Sequence, residues 1–171
     1  NLPNATNSAL QTVSIQAEQK GLDLQFHYAE ELSHCFRGDP TRLRQVILNL
    51  VGNAIKFTES GKVTVSVADR SGLVYFRISD TGIGMTPEQS AKVFESFTQA
   101  DGSTARRFGG TGLGTTISKQ IIEKMGGTIW IESEVNVGST FNFTVNMPTI
   151  ECHPECAFHG QIKQVVGWSP R

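Results

Sequence analysis

The apolar residues of this chain change period along its length, and the order of those changes constrains the fold more than any other feature. From Asp39 to about Phe57, Leu43, Val46, Ile47, Leu50 and Ala54 fall at helical spacing, so one face of a helix packs on a core. Asp39 and Pro40 start that helix, a capping side chain followed by proline at the first helical position. Lys62 to Ala68 and Leu73 to Ser79 alternate apolar with polar instead, the period of a half-buried strand, and Gly72 at the turn between them makes an antiparallel hairpin. The same alternation marks strands at Leu22–Tyr28, Thr128–Ser133 and Ser139–Asn146, where Phe141, Phe143 and Val145 supply the apolar face. Further helices are expected at Ala5–Lys20, closed by Gly21, at Pro87 to about Glu95, and at about Gly112 to Met125. The order is helix, strand, helix, strand, strand, helix, loop, helix, strand, strand. It holds no βαβ repeat, which argues against a doubly wound sheet and predicts an α+β, two-layer sandwich: a mixed sheet of about five strands with about three helices on one face.

A chain of 171 residues has room for one domain. Fifteen Lys+Arg against sixteen Asp+Glu give a net charge of −1, without the basic field of a protein that neutralises nucleic-acid phosphates, so any phosphate it binds must be met locally. No apolar run approaches the ~18 residues of a membrane span, and the N-terminus lacks a basic segment followed by an apolar one. The three cysteines, Cys35, Cys152 and Cys156, are an odd number with no disulfide-framework spacing, which favours a reducing, cytosolic compartment. Cys152, His153, Cys156 and His159 are poorly spaced for structural zinc and read as linker.

Three clusters could carry chemistry. Asn49, Asn53 and Lys56 stand at i, i+4 and i+7 on the Pro40–Phe57 helix and form one polar stripe. Two amides and an ammonium at that spacing could hold a hydrated Mg²⁺ and a polyphosphate together; a solvated helix face has the same spacing. Asp80-Thr81-Gly82-Ile83-Gly84 follows a strand directly, where a carboxylate can accept from an exocyclic amine and two glycines admit a flat ring, or where a turn merely uses Asp and Gly. Gly109-Gly110-Thr111-Gly112-Leu113-Gly114 opens a helix and offers backbone N–H groups and a positive dipole end to phosphate. It is no P-loop, because Thr115 stands where lysine is needed, and no dinucleotide fingerprint, because no strand precedes it. Arg106 and Arg107 lie in the aperiodic Ser96–Thr111 segment, as lid residues closing on a terminal phosphate or as solvated charges.

Taken together the clusters resemble a known family. Asp39-x-x-Arg42-Leu43-x-Gln45-Val46-x-x-Asn49-Leu50-x-x-Asn53-Ala54-x-Lys56-Phe57 is similar to the N box of sensor histidine kinases. Asp80-Thr81-Gly82-Ile83-Gly84-Met85 resembles their G1 box, Val93-Phe94-Glu95-Ser96-Phe97 the F box, and Gly110-Thr111-Gly112-Leu113-Gly114 the G2 box. The boxes stand in family order over about 39–148, and Phe97-Thr98-Gln99-Ala100-Asp101 and Arg106-Arg107-Phe108-Gly109-Gly110 are most similar to the hybrid subgroup, whose kinases also carry receiver domains.

The resemblance implies the Bergerat ATP-binding fold shared with gyrase, MutL and heat-shock chaperones, and ATP with Mg²⁺ as cofactors. It implies Asn53 as the Mg²⁺ ligand, Asn49 in support, and Lys56 on phosphate, these three forming the catalytic set. Asp80 would bind the adenine amino group with Thr140 helping through water, and Gly82 and Gly84 would make room for the base. Gly110, Thr111, Gly112, Leu113 and Gly114 would present phosphate-binding amides, and Phe94 and Phe97 would anchor a lid over about 96–111 that carries Arg106 and Arg107. ATP-hydrolysing relatives are understood to place a glutamate base where this chain has Asn49, an amide that takes no proton, so slow hydrolysis and transfer to an external histidine are expected. None of His27, His34, His153 and His159 has the context of the phosphoacceptor.

The expected organisation is therefore 1–38 as N-terminal helix and first strand, the link from dimerisation helices outside the chain, 39–148 as catalytic core, and 149–171 as linker. The implied partners are a dimerisation and phosphoacceptor domain and receiver domains, with no nucleic acid and no direct membrane contact by this segment. The isolated domain is expected to be a monomer, and the full kinase a homodimer anchored in the bacterial inner membrane with this domain in the cytoplasm. A degenerate nucleotide-binding interaction module, or an ATPase of the gyrase or MutL type, are the alternative readings. One departure from the family is Thr115, where an aliphatic residue is usual.

Overall fold

The computed structural model describes residues 1–95 and 113–153. Its elements in chain order are α1 (Leu2–Gln19), β1 (Asp23–Tyr28), α2 (Pro40–Lys56), β2 (Lys62–Arg70), β3 (Leu73–Asp80), α3 (Pro87–Lys92), α4 (Leu113–Lys124), β4 (Ile129–Glu134) and β5 (Gly138–Val145). The predicted elements are all present, each within a few residues of its expected bounds, and they form the α+β sandwich. Capping chemistry sets the starts: Asp39 accepts from the Thr41 and Arg42 amides, and Thr86 with Gln89 closes a reciprocal capping box before α3.

The five strands stand in the order β1-β2-β3-β5-β4, with β1 parallel to β2 and every other pair antiparallel. Alternation then sorts the side chains. Val63, Val65, Val67, Phe76, Ile78, Phe143 and Val145 are fully buried and join Val46, Ile47, Leu50 and Val51 of α2 in one core. The Phe76 and Phe143 rings stack there with centroids 4.6 Å apart. On the opposite face Tyr75 stacks on Trp130, Arg70 lies over both rings, and the Tyr75 hydroxyl donates to Asn142.

α1 belongs to this core. Leu10, Val13 and Ala17 are buried in it, and polar contacts register α1 on α2 at two heights. Arg44 donates to Ser8 Oγ at 3.2 Å and Thr12 Oγ1 at 2.6 Å, and Lys20 Nζ donates to the carbonyls of Ile55 at 2.7 Å and Lys56 at 3.1 Å. The lysine thereby satisfies carbonyls that the end of α2 leaves open.

The reading of the cysteines is corrected. Cys35 and Cys152 form a disulfide, Cα atoms 5.3 Å apart across a sequence separation of 117. The backbone brings them together: Phe36 bridges Thr149 antiparallel, Arg37 N donates to Pro148 O at 2.8 Å, and Ile150 N donates to Cys35 O at 3.0 Å. With two of the three thiols paired, the cysteines no longer point to a reducing compartment. With its sulfur bonded to Cys35, Cys152 is unable to serve the zinc reading, and the described residues hold no cluster that could bind a metal through His, Cys, Asp or Glu. No described helix is long and apolar enough to cross a membrane.

Candidate functional site

The stripe on α2 faces away from the sheet toward α4 and the end of α1. Asn49 Nδ2 makes long bonds to Gly114 O at 3.5 Å and to the buried Ser118 Oγ at 3.4 Å, so this amide ties α2 to the first turns of α4. Asn53, one turn further on, is half-buried, and its side-chain amide has no hydrogen-bond partner among the described residues. Asn49, Asn53 and Lys56 line one open cavity of about 620 Å³, which Gly114 borders from α4. A side chain at Gly114 would meet only Asn49, at an ordinary 3.8 Å, so packing among the described residues does not demand a glycine there. Space left beside exposed backbone at a helix start is what an approaching phosphate uses.

Asp80 ends β3 with its side chain on the core face and is 8% exposed. Oδ1 accepts from the backbone N–H of Gly82 at 2.9 Å and of Ser139 at 3.2 Å, while Oδ2 has no partner among the described residues. Burial raises the pKa of this carboxyl, and those two N–H bonds oppose the rise. The result is a buried carboxylate held through one oxygen with the other left to accept.

The glycines beside it meet a packing demand that their spacing does not show. A Cβ at Gly82 would lie 2.4 Å from Phe57 O, and one at Gly84, where φ is +67°, would lie 1.9 Å from Glu134 O. They let the turn after β3 close against α2 and the β4–β5 turn, where Asn136 N donates to Ile83 O at 2.7 Å.

Thr140 is not brought to the carboxylate. Its hydroxyl bonds Ser79 Oγ at 3.1 Å on the sheet face opposite Asp80. Ser139, directly across from Asp80 in register, is the residue that shares its face, and its Oγ bonds Ser133 Oγ at 2.8 Å. The signal was available in the sequence: if Phe141 and Phe143 face the core, period 2 puts Ser139 with them and Thr140 outside.

Phe94 packs edge-to-face on Phe141, with centroids 6.1 Å apart. Thr115, the departure from family pattern, donates to Val93 O at 2.8 Å, and Thr116 donates to the carbonyls of Phe94 and Glu95. The two hydroxyls fasten α4 to the F-box backbone, which an aliphatic residue at 115 would not do. Phe97, Arg106, Arg107, Gly110, Thr111 and Gly112, with the lid expected at about 96–111, lie outside the described residues, as does the side chain of Leu113.

Comparison with known proteins agrees with this arrangement. Residues 38–149 match the family described as histidine kinase-, DNA gyrase B- and HSP90-like ATPase. The signal transduction histidine-protein kinase BarA of Escherichia coli strain K12 is 43% identical over 136 residues, covering 77% of this chain and 15% of that protein. The circadian input-output histidine kinase CikA of Synechococcus elongatus is 45% identical over 130 residues, covering 75% of this chain and 17% of that protein. The chain thus spans about a sixth of the length of the curated relatives it matches. Among solved structures, full-length ShkA in complex with AMPPNP superposes with a TM-score of 0.79 at 31% identity, over 89% of this chain and 31% of that one. The catalytic domain of the histidine kinase ThkA superposes at 0.72 with 30% identity, over 85% of this chain and 91% of that one. A family match over residues 38–149, through the N-box helix, the Asp80 turn and strands β2 to β5, places the chain in the histidine kinase-, DNA gyrase B- and HSP90-like ATPase family, as a catalytic domain of the histidine kinase type.

Proposed function

We propose that this domain binds ATP with Mg²⁺ between the Asp80 turn and the Asn49–Lys56 stripe, and presents the terminal phosphoryl group to a histidine on a separate domain. The observation that carries the reading is Asp80: a buried carboxylate whose Oδ1 is fixed by two backbone amides and whose Oδ2 is left to accept from the adenine amino group. The unpartnered Asn53 amide and Lys56 stand on one cavity, a donor set that fits a hydrated Mg²⁺ and phosphate oxygens. When bound, Mg²⁺ neutralises charge on the phosphates. Lys56 holds and orients the chain of phosphates, and Gly114 contributes backbone at the positive end of α4.

Asn49 decides between transfer and hydrolysis. Its Nδ2 is engaged with Gly114 O and Ser118 Oγ, so it braces two helices and has no basic atom with which to activate water. Transfer by positioning alone suits an external acceptor. By resemblance, Phe97, Arg106, Arg107, Gly110, Thr111, Gly112 and Leu113 complete the phosphate end of the site.

The partners inferred are a dimerisation domain carrying the histidine and receiver domains of the same longer kinase, since the matched relatives are several times this length. ATP supply places the domain on the cytoplasmic side, with the full protein a homodimer anchored in the inner membrane. Titration calorimetry tests the core of the reading. Mg·ATP should bind the wild-type chain and lose at least tenfold in affinity with Asn53→Ala or with the metal chelated; Asn53→Ala binding at wild-type strength with Mg²⁺ present contradicts it.

A further inference from the structure

The cavity that holds Asn53 and Lys56 has a second wall, which comes from α1. Gln16 and Gln19, from the last turn of α1, and Lys20, its C-cap, line the same 620 Å³ space as Asn49, Asn53 and Lys56. No motif of the sequence points to these residues, and α1 lies outside the family match at 38–149.

Three observations bear on what this wall does. The described lining residues include two lysines and four side-chain amides but no Asp or Glu, so this described part of the cavity offers N–H donors and positive charge to an anion and no carboxylate to repel it. Gly52, in the interior of α2, also lines it, and a Cβ there would meet nothing within 4 Å. Glycine inside a helix is less stable than alanine, and here packing gives no return for that; the effect is to keep the space clear between Asn49 and Asn53. Finally, the wall is held in place. Lys20 Nζ grips the Ile55 and Lys56 carbonyls, while Arg44 grips Ser8 and Thr12, so α1 is registered against α2 above and below the glutamines. Gln16 and Gln19, three residues apart, then project from one face of a fixed helix.

We propose that Gln16 and Gln19 are positioning residues for the terminal phosphate of the nucleotide, donating their amide N–H groups from the α1 side while Asn53 and Lys56 act from the α2 side. This deepens the ATP-binding reading above and rests on it. The wall meets the end of the triphosphate, so its loss is felt by the triphosphate and not by the diphosphate. Lys20 is occupied with the α2 carbonyls and serves to hold the wall.

The test compares the affinities of the full 171-residue chain for Mg·AMPPNP and Mg·ADP in the wild type, Gln16→Ala/Gln19→Ala, Gln16→Glu/Gln19→Glu and Gly52→Leu, with melting temperature read alongside. The double alanine variant is expected to lose about tenfold for AMPPNP and less than twofold for ADP, at an unchanged melting temperature, since both glutamines are exposed on α1. The double glutamate variant is expected to lose more for AMPPNP, because carboxylates would face phosphate. Gly52→Leu, which fills the space while leaving α1's amides in the sequence, is expected to discriminate in the same direction. Equal effects on both nucleotides, or wild-type affinities throughout, overturn the role of the α1 wall and leave the ATP site standing. A wild-type chain that binds neither nucleotide overturns both.

Discussion

Replacing Asp80 with asparagine separates what the carboxylate does for the fold from what it does for the base. Oδ1 accepts from Gly82 N at 2.9 Å and Ser139 N at 3.2 Å, and these two fixed donors dictate the orientation of an asparagine amide: its oxygen must take the Oδ1 place and its NH₂ the Oδ2 place. The group turned toward the nucleotide then changes from acceptor to donor and opposes the adenine amino group. Loss of a hydrogen bond to a charged acceptor costs about 1.5–3 kcal/mol, and facing a buried donor with another adds roughly 1–3 kcal/mol. Together these predict a fall of more than about a hundredfold in ATP affinity. A purine with a carbonyl in place of the amino group should gain, so the ratio of ATP to ITP affinity should invert. Stability moves the other way. Burial raises the native pKa of Asp80 above its ordinary 3.8, so the native state binds this proton more tightly than the unfolded chain, and ionisation costs stability that is fully lost only above the native value. The asparagine side chain keeps both backbone bonds without that cost. Asp80→Asn should therefore melt at least as high as wild type at pH 7, with its advantage shrinking as the pH falls toward 4. Calorimetric titration with ATP and ITP and a melting series in pH read both effects. ATP affinity within threefold of wild type, or an unchanged ATP to ITP ratio, refutes the assignment of the free oxygen to the base.

Two further predictions concern the frame around the site. Gly84→Ala places a Cβ 1.9 Å from Glu134 O at φ +67°, so the turn after β3 must open; a loss of at least about 2 kcal/mol in urea unfolding is expected, and a wild-type midpoint contradicts the packing described. Closing a loop across a separation of 117 residues restricts the unfolded chain by up to about 5 kcal/mol, so reduction, or Cys35→Ala with Cys152→Ala, should lower the melting temperature by several degrees; equal melting with and without reductant contradicts the link.

The elements were legible in the sequence because each rests on a local cause. Period 2 in Phe141, Phe143 and Val145, the capping pair Asp39 and Pro40, and the glycine after α1 all act within a few residues. What was not legible depends on register between distant segments. Thr140 reads as the hydroxyl near Asp80 from its place in a motif; period 2 puts Ser139 and not Thr140 on the core face, but only the Asp80 to Ser139 pairing shows that Ser139 lies opposite the carboxylate. The disulfide escaped for the same reason, since nothing local shows that residues 35–37 and 148–150 run side by side. Gly82 and Gly84 were found by spacing, but the packing demand on them, close contact with Phe57 and Glu134, is one that no spacing shows. The α1 glutamines sit on an ordinary amphipathic helix, and their use follows from where α2 is packed beside them.

The central claim is transfer to histidine in preference to water, and one reaction measures it. Labelled ATP and Mg²⁺ are incubated with this chain and a separately supplied dimerisation domain of the same kinase, and label is counted both in protein and as free phosphate. The account predicts label on that domain's histidine, absent with Asn53→Ala, and little free phosphate, because Asn49 has no basic atom to activate water. Rapid release of phosphate with no labelled protein would contradict it.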